Sequence, residues 1–289
     1  MRYYRMCVLL AALLLLLTGC SAAPVPAVSD PSAPVQGGLS ADSAPTDAAK
    51  ETKGAPEMEE FFGCEAYPLK NADGSTLLAN YLEESEAGRK SGYWPVVVYL
   101  SENLNEVIDN CFERAGGVDS YVNAVLLRDH SNGKERLEAR FQDLEAVMGK
   151  EALEISDSEL TAFSGQLSGI TAFPAAGLFS GEAWLLRVPA EQPYEVFAWL
   201  PFCGWNSCPK VDDMIAICRY WYEQYGAIPA MITYDTLAFY LETPVTNRQT
   251  AKALAREQVA FCDGVFEMGG PVLYAASVLN SNFWSFWWD

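Results

Sequence analysis

The stretch GAIPAMITYDTLAFYLETPVTNRQTAKALAREQVAFC, residues 226–262, carries the pattern from which the fold is read. Ala227 to Thr233 and Thr236 to Glu242 are rich in β-branched and aromatic residues and read as two strands joined tightly at Tyr234-Asp235, although the turn lacks Gly or Asn-Gly. Thr246 and Gln249 fit a capping box opening a helix on which Ala251, Leu254, Ala255, Val259 and Cys262 share a face. Just upstream, Val211, Met214, Ile215, Cys218, Trp221, Tyr222 and Tyr225 form an amphipathic stripe. Pro209 suits its first turn, Asp212 and Asp213 its positive dipole end, and Gly226 its stop. Downstream, a short helix over Val272 to Leu279 precedes a last strand, Phe283 to Trp288. Helices follow strands without regular alternation, which predicts an α+β fold, a mixed or antiparallel sheet with helices packed on it.

Further upstream, Pro95 to Leu100 reads as a buried strand. It leads into a helix carrying Leu104, Val107, Ile108, Cys111, Phe112 and Ala115 on one face, with Ser101 as its cap and Gly116-Gly117 as its end. A charged helix is expected from Lys134 to Met148, with Leu137, Phe141, Leu144 and Met148 inward. Residues 150–182 are weakly patterned, and Ala183 to Val188 and Glu195 to Leu200 read as strands.

The amino terminus is an address. Arg2 and Arg5 precede an unbroken apolar run, Val8 to Leu17, and then Leu17-Thr18-Gly19-Cys20. The run is far short of the roughly 20 apolar residues of a membrane-spanning helix and has the layout of a secretory signal peptide, residues 1–19. The cleavage site resembles a bacterial lipobox, which implies that Cys20 is lipidated with diacylglycerol and a further fatty acyl chain such as palmitate. Two acyl chains anchor stably where one does not, so the expected location is the extracytoplasmic face of the cell membrane. Residues 20–57 are dominated by Ala, Pro and Ser and read as a disordered linker with a reach of roughly 30–36 Å. The remaining residues divide into 58–182, the first part of the folded region, and 183–289, its motif-dense part.

Charge narrows the partners. The chain carries 38 acidic against 19 basic residues, a formal net charge of −19, with no basic block. Nucleic acid is bound by releasing counterions to Lys and Arg, so it is not an expected partner. Besides the bilayer at acylated Cys20, the partner is an unidentified protein or small ligand.

The chemistry-bearing residues are few. His130 is the single histidine and sits in a polar turn, Arg128 to Gly133, which reads as a surface loop. Serine or cysteine triads and histidine-rich metal sites are disfavoured by that shortage, and neither metal nor cofactor is expected. Asp235, Glu257, Asp263 and Glu267 could converge near the hairpin turn and helix ends as an acid/base set. Cys111, Cys218 and Cys262 fall on apolar helix faces as buried thiols, whereas Cys203 and Cys208 flank Gly204-Trp205-Asn206-Ser207 and are a candidate disulfide. Alternation places Trp284, Phe286 and Trp288 on one face of the last strand and Phe283, Ser285 and Trp287 on the other, as in a strand buried on both sides.

LPFCGWNSCP (200–209), RYWYEQYGA (219–227), ITYDTLAFYLETPV (232–245), AKALAREQVAFCDGV (251–265) and FWSFWWD (283–289) together resemble the bacterial family called domain of unknown function 4253. The resemblance covers residues 183–289 and implies a compact domain of α/β type, with no activity or cofactor attached to the family. The family pattern carries His at Tyr234, Glu at Ala238, Gly at Cys203 and Glu at Ser207, so several polar groups of its cleft are missing here. The sequence reading is therefore a lipid-anchored extracytoplasmic protein whose acidic domain binds a partner or ligand without catalysis. Its candidate binding residues are Trp205, Asn206, Asp235, Glu257 and Asp263. A carboxylate-dependent hydrolase at the same place and a cell-envelope glycan-binding module relying on Trp205 are the alternatives.

Overall fold

The computed structural model describes residues 54–69, 74–173, 182–202, 204–267 and 269–288. The signal peptide, Cys20 and the linker up to residue 53 lie outside the described residues. Residues 50–289 form one compact unit. Its elements are α1 (Pro56–Phe62), β1 (Glu65–Pro68), α2 (Gly74–Ser91), β2 (Trp94–Leu100), α3 (Glu102–Ala115), α4 (Val118–Leu126), α5 (Gly133–Met148), α6 (Asp157–Leu167) and β3 (Glu182–Val188). They continue with α7 (Val211–Tyr225), β4 (Ile228–Ile232), β5 (Thr236–Tyr240), α8 (Arg248–Phe261), α9 (Pro271–Val278) and β6 (Phe283–Trp287).

The six strands make one mixed sheet in the order β1-β3-β2-β4-β5-β6. All neighbours are antiparallel except β2 and β4, whose parallel register sets Val97 against Met231 and Val98 against Ile232. The fold is thus α+β, and its sheet draws β1 and β2 from the first half of the folded region and the rest from the second. β2 is buried on both faces, as its unbroken apolar run requires. Val96 and Val98 enter the larger core with Leu104, Ile108, Phe141 and Trp221, while Val97 and Tyr99 meet Leu77, Tyr81 and Phe173 on the other side.

Local signals explain most boundaries. Ser101 Oγ accepts the Leu104 amide at 3.3 Å, and Gly116 takes the left-handed conformation (φ 83°) that ends α3. The first residue of α5 is glycine because a Cβ on Gly133 would sit 2.0 Å from the Ala216 carbonyl oxygen, where α5 and α7 touch. Leu137 and Phe141 are buried as expected, but Leu144 is half-buried and Met148 exposed, since the last turn of α5 runs past the core. Pro209 stands before α7, which starts at Val211 with Lys210 as N-cap. The cap of α8 is Asn247 rather than Thr246; its Oδ1 accepts the amides of Gln249 and Thr250 at 2.8 and 3.0 Å.

Two further expectations are overturned, and one segment left unassigned gains a helix. Glu195 to Leu200 is not a strand: Pro193–Ala198 is a 3-10 helix in which Glu195 accepts the Gln192 amide at 2.9 Å. Val196, Phe197 and Ala198 are buried in succession, which a half-exposed strand cannot do. The weakly patterned segment contains α6, opened by a Ser156/Glu159 capping box and buried through Leu160 and Leu167. The last strand is an edge, and its second face is covered at one end only, with Phe283 buried, Trp287 half-buried and Ser285 exposed.

Gln258, on the inner face of α8, is fully buried, and neither Nε2 nor Oε1 meets a partner among the described residues. Burying an unpaired amide costs roughly 1–3 kcal/mol. Gln258→Met keeps the volume and removes the polar atoms, so it is expected to raise the denaturation midpoint of the chain. A lower midpoint would show that the amide is satisfied in solution.

Candidate functional site

The β4–β5 turn closes without glycine because threonine side chains supply its hydrogen bonds. Thr233 Oγ1 accepts the amides of Asp235 and Thr236, and the hydroxyls of Thr233 and Thr236 donate to Asp235 Oδ1 at 3.0 and 3.1 Å. This holds Tyr234 outward and half-buried. The Trp205 indole stacks on it face to face, with centroids 4.6 Å apart and planes within 11°. Phe202 meets Trp205 edge-on at 5.7 Å and Trp288 at 5.8 Å, so the pair rests on the core rather than standing free.

The loop carrying Trp205 is tied down from two sides. The Ser207 hydroxyl donates to Asp263, the first residue of the 3-10 turn Asp263–Glu267 that follows α8. From α5, Arg140 donates to the carbonyls of Ser207, Ala260 and Phe261. Burial lowers the pKa of its guanidinium. The amide of Trp288 donates to the Asp235 carbonyl at 2.9 Å and the Cys262 thiol to the Trp287 carbonyl at 3.0 Å, which brings the end of β6 to both. Trp205, Asn206, Asp235 and Asp263 are therefore gathered around one rim, with Asn206 exposed in the left-handed region (φ 49°).

Glu257 is not part of that rim. Its carboxylate accepts from Tyr220 Oη and Trp221 Nε1, each at 2.9 Å, inside the α7–α8 contact. Burial raises its pKa, against the lowering by those two donors. The Glu267 side chain lies outside the described residues.

His130 is no surface-loop residue. It is 9% exposed, with Nε2 3.5 Å from Asp212 Oδ1 at the start of α7, and burial lowers its pKa. Arg128 binds Asp212, and Arg136 binds Asp213 beside it. The polar turn is thus clamped onto α7, by contacts that no local pattern announces.

Cys218 and Cys262 are buried free thiols, and burial pushes the Cys262 pKa up to about 11. Cys111 is free but only half-buried. Cys208 is buried and disulfide-bonded. The proposed pairing falls on Cys203, which lies outside the described residues. Among the described residues, no group of three or more His, Cys, Asp or Glu is placed to hold a metal ion, and no helix is long and apolar enough to cross a membrane.

Sequence reasoning missed Arg140, which acts on backbone carbonyls 67 to 121 residues away. A basic residue on a charged helix gives no such signal.

A family model, domain of unknown function (DUF4253), matches residues 184–289. No curated protein and no solved structure matches the chain.

Proposed function

We propose that this chain, whose C-terminal region matches the domain of unknown function 4253, is a lipid-anchored extracytoplasmic protein that binds a partner or small ligand at the Trp205–Tyr234 rim without turning it over. The observation that carries the binding reading is the stacked, half-buried aromatic pair beside Asp235 and Asp263. Both carboxylates are held by hydroxyl donors and form no ion pair among the described residues. Three of the four candidate acids are committed to fixing structure: Asp235 to its turn, Asp263 to the Trp205 loop, Glu257 to Tyr220 and Trp221. The single histidine sits in the clamp on α7, where it faces Asp212.

A photo-cross-linking residue at Asn206 of the full chain, in its own membrane, tests the reading. One dominant adduct is expected, lost on Trp205→Ala under conditions where that variant remains folded. No adduct, or one indifferent to Trp205→Ala, rules out the rim as the binding surface. Turnover that disappears on Asp235→Asn or Asp263→Asn would make the protein a hydrolase instead.

The anchor rests on the sequence alone: a basic start, a short apolar run and Leu17-Thr18-Gly19-Cys20. Cys20→Ser is expected to move the protein from the detergent phase to the aqueous phase in phase partitioning. Retention in the detergent phase would mean attachment by other means.

A further inference from the structure

At the other end of the sheet lies a groove of about 330 Å³ that plays no part in the Trp205 rim. It is formed where α2 ends, β2 begins and the chain leaves β3, and it is lined by Gly88, Arg89, Tyr93, Trp94, Ala190 and Glu191 among others. Trp94 precedes Val97 on β2, and Tyr234 follows Met231 on the parallel β4, so groove and rim face opposite ends of the strands.

The walls of the groove are set before any ligand arrives. The Gly88 carbonyl accepts the amides of Gly92 and Tyr93 at 2.8 and 3.2 Å, and a Cβ on Gly88 would lie 2.3 Å from the Tyr93 carbonyl oxygen, so only glycine permits this turn. The Tyr93 hydroxyl donates to the buried Glu84 at 2.8 Å, and the Arg187 guanidinium lies 5.1 Å over its ring. Trp94 is held edge-on against Tyr222 at 6.4 Å. Two aromatic walls are thus fixed by contacts outside the groove, which reduces the ordering cost of binding.

Its rim carries one charge of each sign. Arg89 is more than half exposed, and its ion pair with Glu242, at 3.8 Å between two exposed side chains, is worth little and readily exchanged. Glu191 is exposed and has no hydrogen-bond or ion-pair partner among the described residues. The groove also opens at the carboxyl end of α2, where the helix dipole favours a positive group. An ammonium would pair with Glu191 in a groove that Trp94 also lines, and a carboxylate would meet the guanidinium of Arg89 in the last turn of α2.

We propose that this groove binds a zwitterion of amino-acid to dipeptide size, with its carboxylate at Arg89, its ammonium at Glu191 and its side chain against Trp94 and Tyr93. The site is independent of the Trp205 rim, so either can fail without the other.

Calorimetric titration of the full chain in detergent with L-phenylalanine, glycyl-L-phenylalanine, N-acetyl-L-phenylalanine and L-phenylalaninamide tests it. Saturable binding of one or both zwitterions is expected, the tighter of the two giving the preferred length. The two capped compounds, each lacking one charge, should bind about tenfold more weakly. Arg89→Gln should abolish the discrimination against the amide and Glu191→Gln that against the N-acetyl compound. Both side chains are exposed, so unchanged melting temperatures are expected in the variants. No heat with either zwitterion at about 10 mM overturns the proposal, as does binding that ignores both substitutions.

Discussion

Trp221→Ala is expected to lower folding stability by about 3–5 kcal/mol, among the largest effects of any single substitution in the chain. The indole is fully buried and is the hub of an aromatic cluster: Phe286 stacks on it at 5.6 Å, and Phe239, Phe261 and Trp284 meet it edge-on at 5.7, 4.8 and 5.8 Å. These neighbours come from β6, β5 and α8, so the one side chain on α7 joins helix layer to sheet. Alanine would leave a cavity that rings on three elements cannot fill together. It would also remove the donor to Glu257, whose carboxylate is already penalised by burial. Trp221→Phe weighs the two contributions, since it keeps most of the ring contacts while losing the N–H and a smaller part of the packed indole. Its expected cost is about 1–2 kcal/mol. Guanidinium denaturation of the full chain, followed by circular dichroism, reads both. Equal costs for Ala and Phe would mean that the hydrogen bond to Glu257 outweighs the packing.

Much of this fold was legible because its signals are local. The stripe from Leu104 to Ala115 needed only its helical period, Ser101 before it and Gly116 after it. The hairpin was readable from its two apolar runs even though its turn has no glycine; Thr233 does the work that Asn-Gly would do elsewhere. Failures follow where the deciding contact is remote or the period is blurred. In α2, Leu77 and Tyr81 face the sheet, but the second half of the helix is charged and shows no stripe. Val196 to Ala198 imitate a strand because a short helix buried all round has no polar face to betray it. His130 looked exposed because its neighbours in sequence are polar, whereas its neighbour in space is Asp212, 82 positions on. At the site, Trp205, Asp235 and Asp263 were read from motif density and do gather, while Glu257 sits on another face of α8 from the one that matters. The helix period alone could not distinguish a carboxylate aimed at Trp221 from one aimed at the turn.

The matched stretch, residues 184–289, also omits β2, the strand that separates β3 from β4, so that stretch taken alone would leave its sheet in two pieces. It omits Arg140 as well, the side chain that holds the Trp205 loop. Arg140→Ala should strip the charged donor from three carbonyls of part-buried backbone, at an expected cost of about 3–5 kcal/mol. Arg140→Lys keeps the charge but not the fork, and one ammonium cannot span Ser207 and the end of α8 in the same geometry, so it should recover only part of the loss. Stability alone would not distinguish a clamp on the site from a generic core contact. Hydrogen exchange does, because loss of the clamp predicts faster exchange at the amide of Cys208, bonded to the Trp205 carbonyl at 3.0 Å, while β2 and α3 keep their protection. Photo-cross-linking at Asn206 should fall in the same variant, even under conditions where its far-ultraviolet spectrum is native. Uniformly faster exchange, with cross-linking intact in the folded fraction, would make Arg140 a residue of the fold and not of the rim.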